Sequence, residues 1–453
     1  MQGIAGDNWD IIGFDPRGVH FSTPLANCSF NLTMDSALPP RPLGPRSVPR
    51  LADSYFESFI DYGRALGAQC ATLIGGETEA GPHMSTTTTA RDMLSIVDAF
   101  AATQDGRRAA KPRHLLNYYG ISYGTFLGQT FASMFPERVG NVVLDGNVSP
   151  AGFLRSFVDD SINHLDGIIG AFFVYCHRAG PARCSYTIGE AGSTAMDTYT
   201  RFNRSFAQLD AQRALNENWN NATDIESALL LLKVGWLTAA NDPISNFGVM
   251  SGILLSLEAA LSSQNLGPWI AEATKAFGDP TGADYKNPEE TLGVLCSDQG
   301  NAWYGRTLED LRAPLSRLER QSIVGEIWSH SMLGCLGWPI KAVERFAGPF
   351  GGETANPMLF VSNTYDPVTP LENAIEYAPK YRNAEVLTID GMGHTSGITR
   401  NVCGFGKVRA YYQSNALPGN DSFCPLEPGP FGVQLDGTLK HNLEQAGFAS
   451  LLG

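Results

Sequence analysis

The stretch LLNYYGISYGTF (115–126) places Ser122 between Gly120 and Gly124, where an apolar run meets a segment of helical pattern. This spacing matches G-x-S-x-G, in which a serine lies on a sharp turn between a strand and a helix. The turn holds the serine backbone in a strained conformation, and both flanking positions must be small because larger side chains would collide. The motif therefore predicts a parallel α/β sheet with a serine nucleophile at the end of one strand.

Strand and helix patterns alternate on both sides of this serine. Short apolar runs bounded by Gly and Pro predict strands, and apolar residues at helical spacing predict helices. The predicted strands are 8–18, 114–120, 139–146, 357–367 and 384–394, and the predicted helices are 85–102, 125–135 and 371–381. This alternation is typical of a mainly parallel sheet that helices cover on both faces.

The pattern changes after about residue 150, where helical stretches follow one another without a clear strand. We therefore predict one sheet domain that is split around a helical lid. The first part of the core is expected at 1–152, the lid at 153–290, and the second part of the core, which has a loop-rich end, at 291–453.

A serine hydroxyl needs a base to take its proton, and the base needs an acid to orient it. With this kind of turn, the chain order is serine, acid, histidine. Asp366 in VSNTYDPVTP and His394 in TIDGMGHTSG follow late predicted strands in that order. We predict the triad Ser122, Asp366 and His394, with the backbone N–H of Tyr123 donating to the oxyanion. Asp390 is a rival acid, but it lies in the same segment as the base.

Composition excludes several classes of function. The net charge of −14 and the lack of a basic run argue against nucleic acid as a partner. The chain has no HExxH or CxxC motif, so no metal or other cofactor is expected. The apolar stretch nearest to a membrane span is 227–240, which Lys233 interrupts, and we interpret it as a buried helix. The oligomeric state stays open.

Eight cysteines and six Asn-x-Ser/Thr sequons together favour a secreted glycoprotein over a cytosolic protein with free thiols. We expect sequential disulfide pairing, although the sequence does not fix the connectivity. The expected pairs are Cys28–Cys70, Cys176–Cys184, Cys296–Cys335 and Cys403–Cys424, and the sequons are at Asn27, Asn31, Asn147, Asn203, Asn221 and Asn420. The first residues show no signal peptide, which suggests a mature or N-terminally shortened chain if the protein is secreted.

Four segments together resemble the tripeptidyl aminopeptidase-like α/β-hydrolases, which are secreted serine exopeptidases related to proline iminopeptidases. They are GFDPRGVHFSTP, GISYGTFLGQTFASMFPERVGNVVLDG, SNTYDPVTP and GMGHTS. The segments VLCSDQG and CLGWP also resemble disulfide-bearing segments of that family. The resemblance covers most of the chain and is weakest over the lid. It implies an α/β-hydrolase fold, the same triad, and release of single residues or short peptides from the N-terminus of oligopeptides.

The chain departs from this family at two places. His20 and Phe21 stand where the family usually has Gly-Arg. The family also carries a GGPG loop on a strand that precedes the segment matching Trp9–Gly18, and this loop supplies an oxyanion N–H. Only eight residues precede Trp9, and they contain no such loop, so we expect the N-terminal strands and half of the oxyanion hole to be missing. Loss of one donor typically slows turnover on the order of 100- to 1,000-fold, so an N-terminally extended chain should be faster.

The main functional hypothesis is a secreted serine exopeptidase that acts on oligopeptides or small amides or esters through an acyl-enzyme. Such an enzyme must recognise a free α-amine, and a nearby carboxylate is the simplest device. Asp298 is the substrate-binding residue that we predict, and Asp145 is a further candidate. One alternative is a carboxylesterase or lipase with the same triad. Another is a catalytically impaired homologue kept for binding.

Overall fold

A computed structural model describes residues 2–6, 9–28, 51, 53–109, 112–155, 161–215, 222–278 and 288–452. Its centre is a five-stranded sheet in the order β1-β2-β3-β4-β5, with every pair parallel. The strands are β1 (Leu116–Ile121), β2 (Val139–Asp145), β3 (Leu359–Tyr365), β4 (Glu385–Met392) and β5 (Phe423–Cys424). Because the strands are parallel, their carboxyl ends meet at one edge of the sheet, which we call the carboxyl edge.

Helices surround the sheet and fill the long connection between β2 and β3. They are α1 (Gln2–Ala5), α2 (Asp53–Leu73), α3 (Thr86–Ala102), α4 (Gln104–Arg108), α5 (Tyr123–Met134), α6 (Pro150–Arg155), α7 (Leu165–Ala179), α8 (Ala195–Leu215), α9 (Ala222–Asn241), α10 (Pro243–Ser262), α11 (Gly267–Phe277), α12 (Pro288–Asp298), α13 (Arg312–Gln321), α14 (Gly325–Trp328), α15 (His330–Cys335), α16 (Leu371–Tyr377), α17 (Ser396–Thr399), α18 (Val402–Ser414) and α19 (Leu439–Gln445). Short 3₁₀ turns occupy Gly81–His83, Pro136–Arg138, Glu309–Leu311, Ala378–Lys380, Pro430–Gly432 and Ala449–Leu451.

The sheet follows the sequence pattern closely at its centre. All residues of β2 are buried, as expected for an apolar strand that helices cover on both faces. In front of α3, the hydroxyl of Ser85 accepts the backbone N–H of Thr88 at 3.4 Å and caps the helix. The predicted strands 114–120, 139–146, 357–367 and 384–394 correspond to β1–β4.

The strand predicted at 8–18 is wrong. Residues 9–16 have no strand pairing, and the segment makes only an isolated bridge between Gly18 and Leu25. Ile12 is 62% exposed. Among the described residues, β1 is an edge strand, and Ile121 at its end is 48% exposed. No described strand pairs with the open side of β1, so the apolar segment has no ladder to join.

The lid core is built from α7–α11 around a group of aromatic rings. Phe172 contacts Trp236 and Phe247 edge to face, with ring centroids 5.3 and 5.2 Å apart. Phe173 packs beside them against Phe202 of α8. Each such pair adds about 0.5–1.5 kcal/mol to the burial of its apolar area. The same buried cluster continues to Tyr365 of β3 and Met392 of β4, so the lid packs onto the sheet through a shared core.

The helical region continues past residue 290, the boundary expected for the lid. Residue 290 lies within α12, and helices follow as far as Cys335. The helix α12 contacts α3, α15 contacts α2, and the disulfide Cys296–Cys335 joins α12 to α15. The segment from α12 to α15 therefore packs beside the sheet domain, although no strand appears in it.

The eight cysteines form four disulfides in the expected sequential order. The bonds are Cys28–Cys70, Cys176–Cys184, Cys296–Cys335 and Cys403–Cys424. They close loops of 8 to 42 residues and therefore restrict the unfolded chain.

One described helix, α10, is long and apolar enough to cross a membrane, whereas the stretch predicted to be nearest to a membrane span is 227–240. Its residues Phe247, Met250 and Leu254 are buried in the lid core, as in a core helix. The stretch 227–240 lies in α9, where Lys233 is buried and its Nζ lies 2.8 Å from Glu326 Oε2. This pairing explains how the buried helix accommodates a lysine.

Candidate active site

Ser122 lies at the junction of β1 and α5 with φ +55° and ψ −122°, a conformation that L-residues rarely adopt. A Cβ atom on Gly120 would lie 2.4 Å from the carbonyl oxygen of Gly124. Gly120 could therefore not be replaced without moving the turn, whereas a Cβ atom on Gly124 would lie 3.0 Å from the Tyr118 hydroxyl. The local geometry is that of the strained strand-to-helix turn which the G-x-S-x-G pattern predicts.

Two hydrogen bonds hold the backbone of Ser122, one at its N–H and one at its carbonyl oxygen. Its N–H donates to the carbonyl oxygen of Asp145 at 3.0 Å, and its own carbonyl accepts the N–H of Thr125 at 2.8 Å. Tyr123 is the first residue of α5, so its N–H has no acceptor within the helix. That N–H suits the role of oxyanion donor.

Asp366 is fully buried just after β3 and accepts three backbone N–H groups. Its Oδ1 accepts from Val368 at 3.0 Å and Thr369 at 2.8 Å, and its Oδ2 accepts from Thr395 at 2.9 Å. Burial alone would raise the pKa of Asp366. The charge and hydrogen bond of His394 and these backbone donors outweigh burial, so the pKa lies below its usual range. Asp366 is therefore ionised at neutral pH.

His394 follows β4 and faces Asp366. Its Nδ1 lies 3.1 Å from both carboxylate oxygens of Asp366 and 3.2 Å from Thr369 Oγ1. Burial lowers the pKa of His394, but the charge and hydrogen bond of Asp366 and the charge of Asp145 outweigh it, and the pKa is raised above 6.5. When Nδ1 carries the proton shared with Asp366, Nε2 is free to accept one.

Ser122 and His394 lie beside the same strand end. The N–H of Ser122 bonds the last residue of β2, Asp145, and the next residue, Gly146, lies against the histidine. A Cβ atom on Gly146 would be 3.4 Å from His394 Cε1. Within the described part of the chain, no hydrogen bond joins Ser122 Oγ to His394. The structure thus pairs Asp366 with His394 and places Ser122 at the same edge.

The lid rests directly on the histidine loop. Asn241, the last residue of α9, accepts the backbone N–H of His394 at 2.9 Å. A Cβ atom on Gly393 would lie 2.9 Å from Pro243 Cδ of α10. The position of His394 therefore depends on the lid as well as on the sheet.

Asp298, the predicted substrate-binding residue, lies buried against Thr86. Asp298 is buried, and its carboxylate accepts the backbone N–H and the hydroxyl of Thr86 at 2.8 and 2.5 Å. Thr86 Oγ1 also lies 2.5 Å from the hydroxyl of Tyr123. Burial raises the pKa of Asp298 to about 7. Both carboxylate oxygens are thus bonded to Thr86, and the side chain is buried and does not face solvent, where a substrate amine would arrive.

The other carboxylates considered from the sequence are occupied too. Asp390, the rival acid, accepts the hydroxyl of Thr364 at 3.0 Å and the N–H of Leu439 at 3.1 Å, and neither contact involves His394. Asp145 is buried and accepts three donors from Ser396 and Tyr119. Asp145 thus has a place in the site, but not as a free carboxylate for an amine.

The six sequon asparagines differ in their exposure to solvent. Asn27, Asn203 and Asn420 are exposed, and Asn31 and Asn221 lie outside the described residues. Asn147 does not fit as a glycosylation site. It is fully buried, and its Nδ2 donates to the carbonyl oxygens of Leu144 and Val361 and to Ser362 Oγ. A glycan at this nitrogen would have no room.

Where the chain is described, no group of three or more His, Cys, Asp and Glu side chains could hold a metal ion.

Two family models match the chain. Residues 1–182 match the family described as alpha/beta hydrolase fold, and residues 321–424 match the family described as TAP-like protein. The two matches contain the Ser122 turn, Asp366 and His394.

Relatives with assigned names match over most of the chain. Tripeptidyl aminopeptidase of Streptomyces coelicolor is 23% identical over 93% of this chain and 71% of its own length. Serine protease Hip1 of Mycobacterium tuberculosis is 24% identical over 92% of this chain and 75% of its own. Carboxylesterase B of Mycobacterium tuberculosis is 26% identical over 92% of this chain and 74% of its own length. The chain is thus similar to α/β-hydrolases over residues 1–182 and to TAP-like proteins over residues 321–424, in line with the resemblance that its motifs indicated.

Proposed function

We propose that this α/β-hydrolase is a serine hydrolase of the exopeptidase type, which uses Ser122, His394 and Asp366 as its triad. The observation that carries this proposal is the buried Asp366–His394 pair at 3.1 Å beside a serine held at positive φ. Names of the relatives add support, since two of those compared are peptidases.

The proposed reaction follows from these groups. His394 Nε2 takes the proton of Ser122 Oγ while that oxygen attacks the carbonyl carbon of the substrate. The N–H of Tyr123 stabilises the oxyanion, and Asp366 stabilises the imidazolium. His394 then gives the proton to the leaving amine, and an acyl-enzyme forms. Water activated by the same imidazole releases the acyl group and restores Ser122.

A free α-amine needs a carboxylate, and Glu372 is the one that we assign to it. It lies three residues after Thr369, whose hydroxyl contacts the His394 ring, and its side chain is 59% exposed. His164, just before the first lid helix, holds the carboxylate with Nε2 at 2.8 Å from Oε2. Burial would raise the pKa of Glu372, but the hydrogen bond and charge of His164 outweigh it and lower the pKa. The group is thus ionised when an ammonium arrives.

The second candidate function is an ester hydrolase. The same triad attacks esters and amides, and one of the relatives compared is named a carboxylesterase. A requirement for a free amine separates the two. Acetylation of the substrate N-terminus should abolish hydrolysis by an exopeptidase and leave hydrolysis by an esterase intact.

We also propose a secreted location for the protein. The four disulfides support it, because such bonds persist mainly in oxidising compartments. The exposed sequons Asn27, Asn203 and Asn420 are the described positions that could carry glycans. Glycopeptide mapping after expression through a eukaryotic secretory pathway should find them occupied and Asn147 unmodified.

A fluorophosphonate probe tests the serine hydrolase assignment, because only an activated serine reacts with it. The wild type should be labelled, and the Ser122→Ala and His394→Ala variants should not. Ser95 and His114 are exposed, so Ser95→Ala and His114→Ala serve as matched controls and should be labelled like the wild type. Labelling that persists in Ser122→Ala would refute the triad.

A further inference from the structure

Asp145 touches both halves of the site. Its backbone carbonyl accepts the N–H of Ser122 at 3.0 Å, and its carboxylate binds Ser396, two residues after His394. It is the last residue of β2, the strand between the nucleophile strand β1 and the acid strand β3. One residue thus connects the turn that carries the nucleophile with the loop that carries the base.

The carboxylate of Asp145 is buried and surrounded by donors. Oδ1 accepts the backbone N–H of Ser396 at 2.9 Å, and Oδ2 accepts the Ser396 hydroxyl at 2.5 Å and the Tyr119 hydroxyl at 2.6 Å. These three donors suit a carboxylate, because an amide could place its two hydrogens here only if a hydroxyl turned to accept one. The replacement Asp145→Asn therefore disturbs the hydrogen bonds to Ser396 and Tyr119.

The titratable groups that face this carboxylate come from three strands. Tyr119 lies in β1, Asp366 follows β3, and His394 follows β4. Burial raises the pKa of Asp145 and the charge of Asp366 adds to this, while the hydrogen bonds from Ser396 and Tyr119 oppose both. The negative charge of Asp145 in turn favours protonated His394.

Strain in the histidine loop supports a holding role for Asp145. Thr395, between His394 and Ser396, has φ +71°, a conformation that costs a threonine free energy. Its N–H is held by Asp366, and the next residue is held by Asp145. Two carboxylates on neighbouring strands therefore fix consecutive residues of a strained loop.

We propose that Asp145 is a positioning residue that fixes the Ser122 turn and the His394 loop relative to each other and supplies a second negative charge beside the imidazole. This inference rests on the proposed function, because it concerns the reactivity of Ser122. An ordinary buried aspartate at a strand end would stabilise the fold without changing how the imidazole titrates.

The test compares Asp145→Asn with Asp390→Asn. Asp390 is also a buried aspartate of the sheet, on strand β4, but its carboxylate contacts neither Ser122 nor Ser396. The rate of fluorophosphonate inactivation is measured against pH, and the maximal rate is separated from the affinity for the probe. Circular dichroism and thermal unfolding identify the variants that are folded.

In folded Asp145→Asn, the maximal inactivation rate should fall about tenfold to a hundredfold with unchanged probe affinity, since hydrogen bonds to a charged group are lost. The acid limb of the profile should move to lower pH, because the imidazole loses a negative neighbour. Asp390→Asn should show neither effect. An unmoved acid limb in Asp145→Asn, or an equal shift in Asp390→Asn, overturns the inference.

Ser396→Ala keeps the inference testable if Asp145→Asn does not fold. It removes one donor to the carboxylate and leaves the backbone bond and the charge in place. The maximal inactivation rate should then fall several-fold with unchanged probe affinity, and an unchanged rate counts against the inference. A wild type that does not react with the probe would instead refute the proposed function.

Discussion

The imidazole Nδ1 of His394 lies 3.1 Å from each carboxylate oxygen of Asp366. This arrangement fixes the proton on Nδ1 and turns Nε2 away from the carboxylate. The pair keeps its charge because backbone N–H groups saturate the buried carboxylate. The expected consequences concern activity, titration and stability.

Replacement of Asp366 by Asn should reduce the hydrolysis rate on the order of 10⁴-fold, since the imidazole loses its orienting anion and adopts the wrong tautomer. Steady-state kinetics with chromogenic amides or esters measure the effect. Asp390→Asn is the matched control and should stay near wild-type activity, because its carboxylate does not contact His394. A loss of less than tenfold in Asp366→Asn would contradict the assigned role.

The acid limb of the pH profile of kcat/KM should lie above pH 6.5. A base must be deprotonated to act, and the pKa of His394 is raised because Asp366 and Asp145 outweigh the opposing effect of burial. Activity is therefore lost as the pH falls through this raised pKa. A limb at or below pH 6.5 would be inconsistent with the two carboxylates beside the ring.

Gly146→Ala should abolish most of the activity. A Cβ atom there would lie 2.7 Å from Thr395 Cγ2 and 3.4 Å from His394 Cε1, so it would push the histidine loop away. Gly180→Ala is a matched control, because Gly180 has nearly the same φ, +71° against +72°, and nothing within 4 Å of the added atom. Both variants should lose about 1–3 kcal/mol of stability from backbone strain, measured by denaturant unfolding. Similar activities of the two would count against the close packing at Gly146.

Asp298→Asn should change how stability depends on pH. The folded pKa of Asp298 is about 7 against a usual 3.8, because the carboxyl is buried. Between about pH 3.8 and 7 the folded state holds a proton that the unfolded state has released. The free energy of unfolding of the wild type therefore falls as the pH rises through this range. The variant should lack that part of the decline. Urea unfolding at several pH values measures it, and parallel curves would exclude the raised pKa.

Glu372→Gln should raise KM about tenfold for substrates with a free α-amine, since a charge-assisted hydrogen bond is lost, and it should spare blocked esters. Glu376→Gln is the control from the same helix, because the Glu376 carboxylate bonds Lys380 and lies one turn further along. The measurement is a set of Michaelis curves with free and acetylated substrates. Equal KM changes for both substrates would exclude a role in recognising the amine.

The sequence predicted the centre of the fold because its signals there are local. Gly120 and Gly124 around Ser122 report a backbone requirement, and Asp366 and His394 follow apolar runs that must be strands. The pattern at 8–18 is equally apolar, but strand formation depends on a partner, and the described sheet offers none beside β1. Local pattern alone does not reveal such a partner.

The roles of the buried carboxylates could not be predicted from the sequence, because they depend on partners that are distant in the chain. Asp298 and Asp145 both end predicted segments, and nothing in their neighbours shows that Thr86 and Ser396 would occupy them. Thr86 is 212 positions away from Asp298 in the chain, and Ser396 is 251 positions away from Asp145. Glu372 was missed because only the folded lid brings His164 to it.

The most direct test of the account is to locate the adduct formed with a fluorophosphonate by peptide mass spectrometry. We expect a single adduct per chain, on the oxygen of Ser122 in the peptide that contains GISYG. Labelling should disappear when the His394→Ala variant is treated under the same conditions. An adduct on another residue, or a folded wild type that forms none, would contradict the claim that Ser122 is an activated nucleophile.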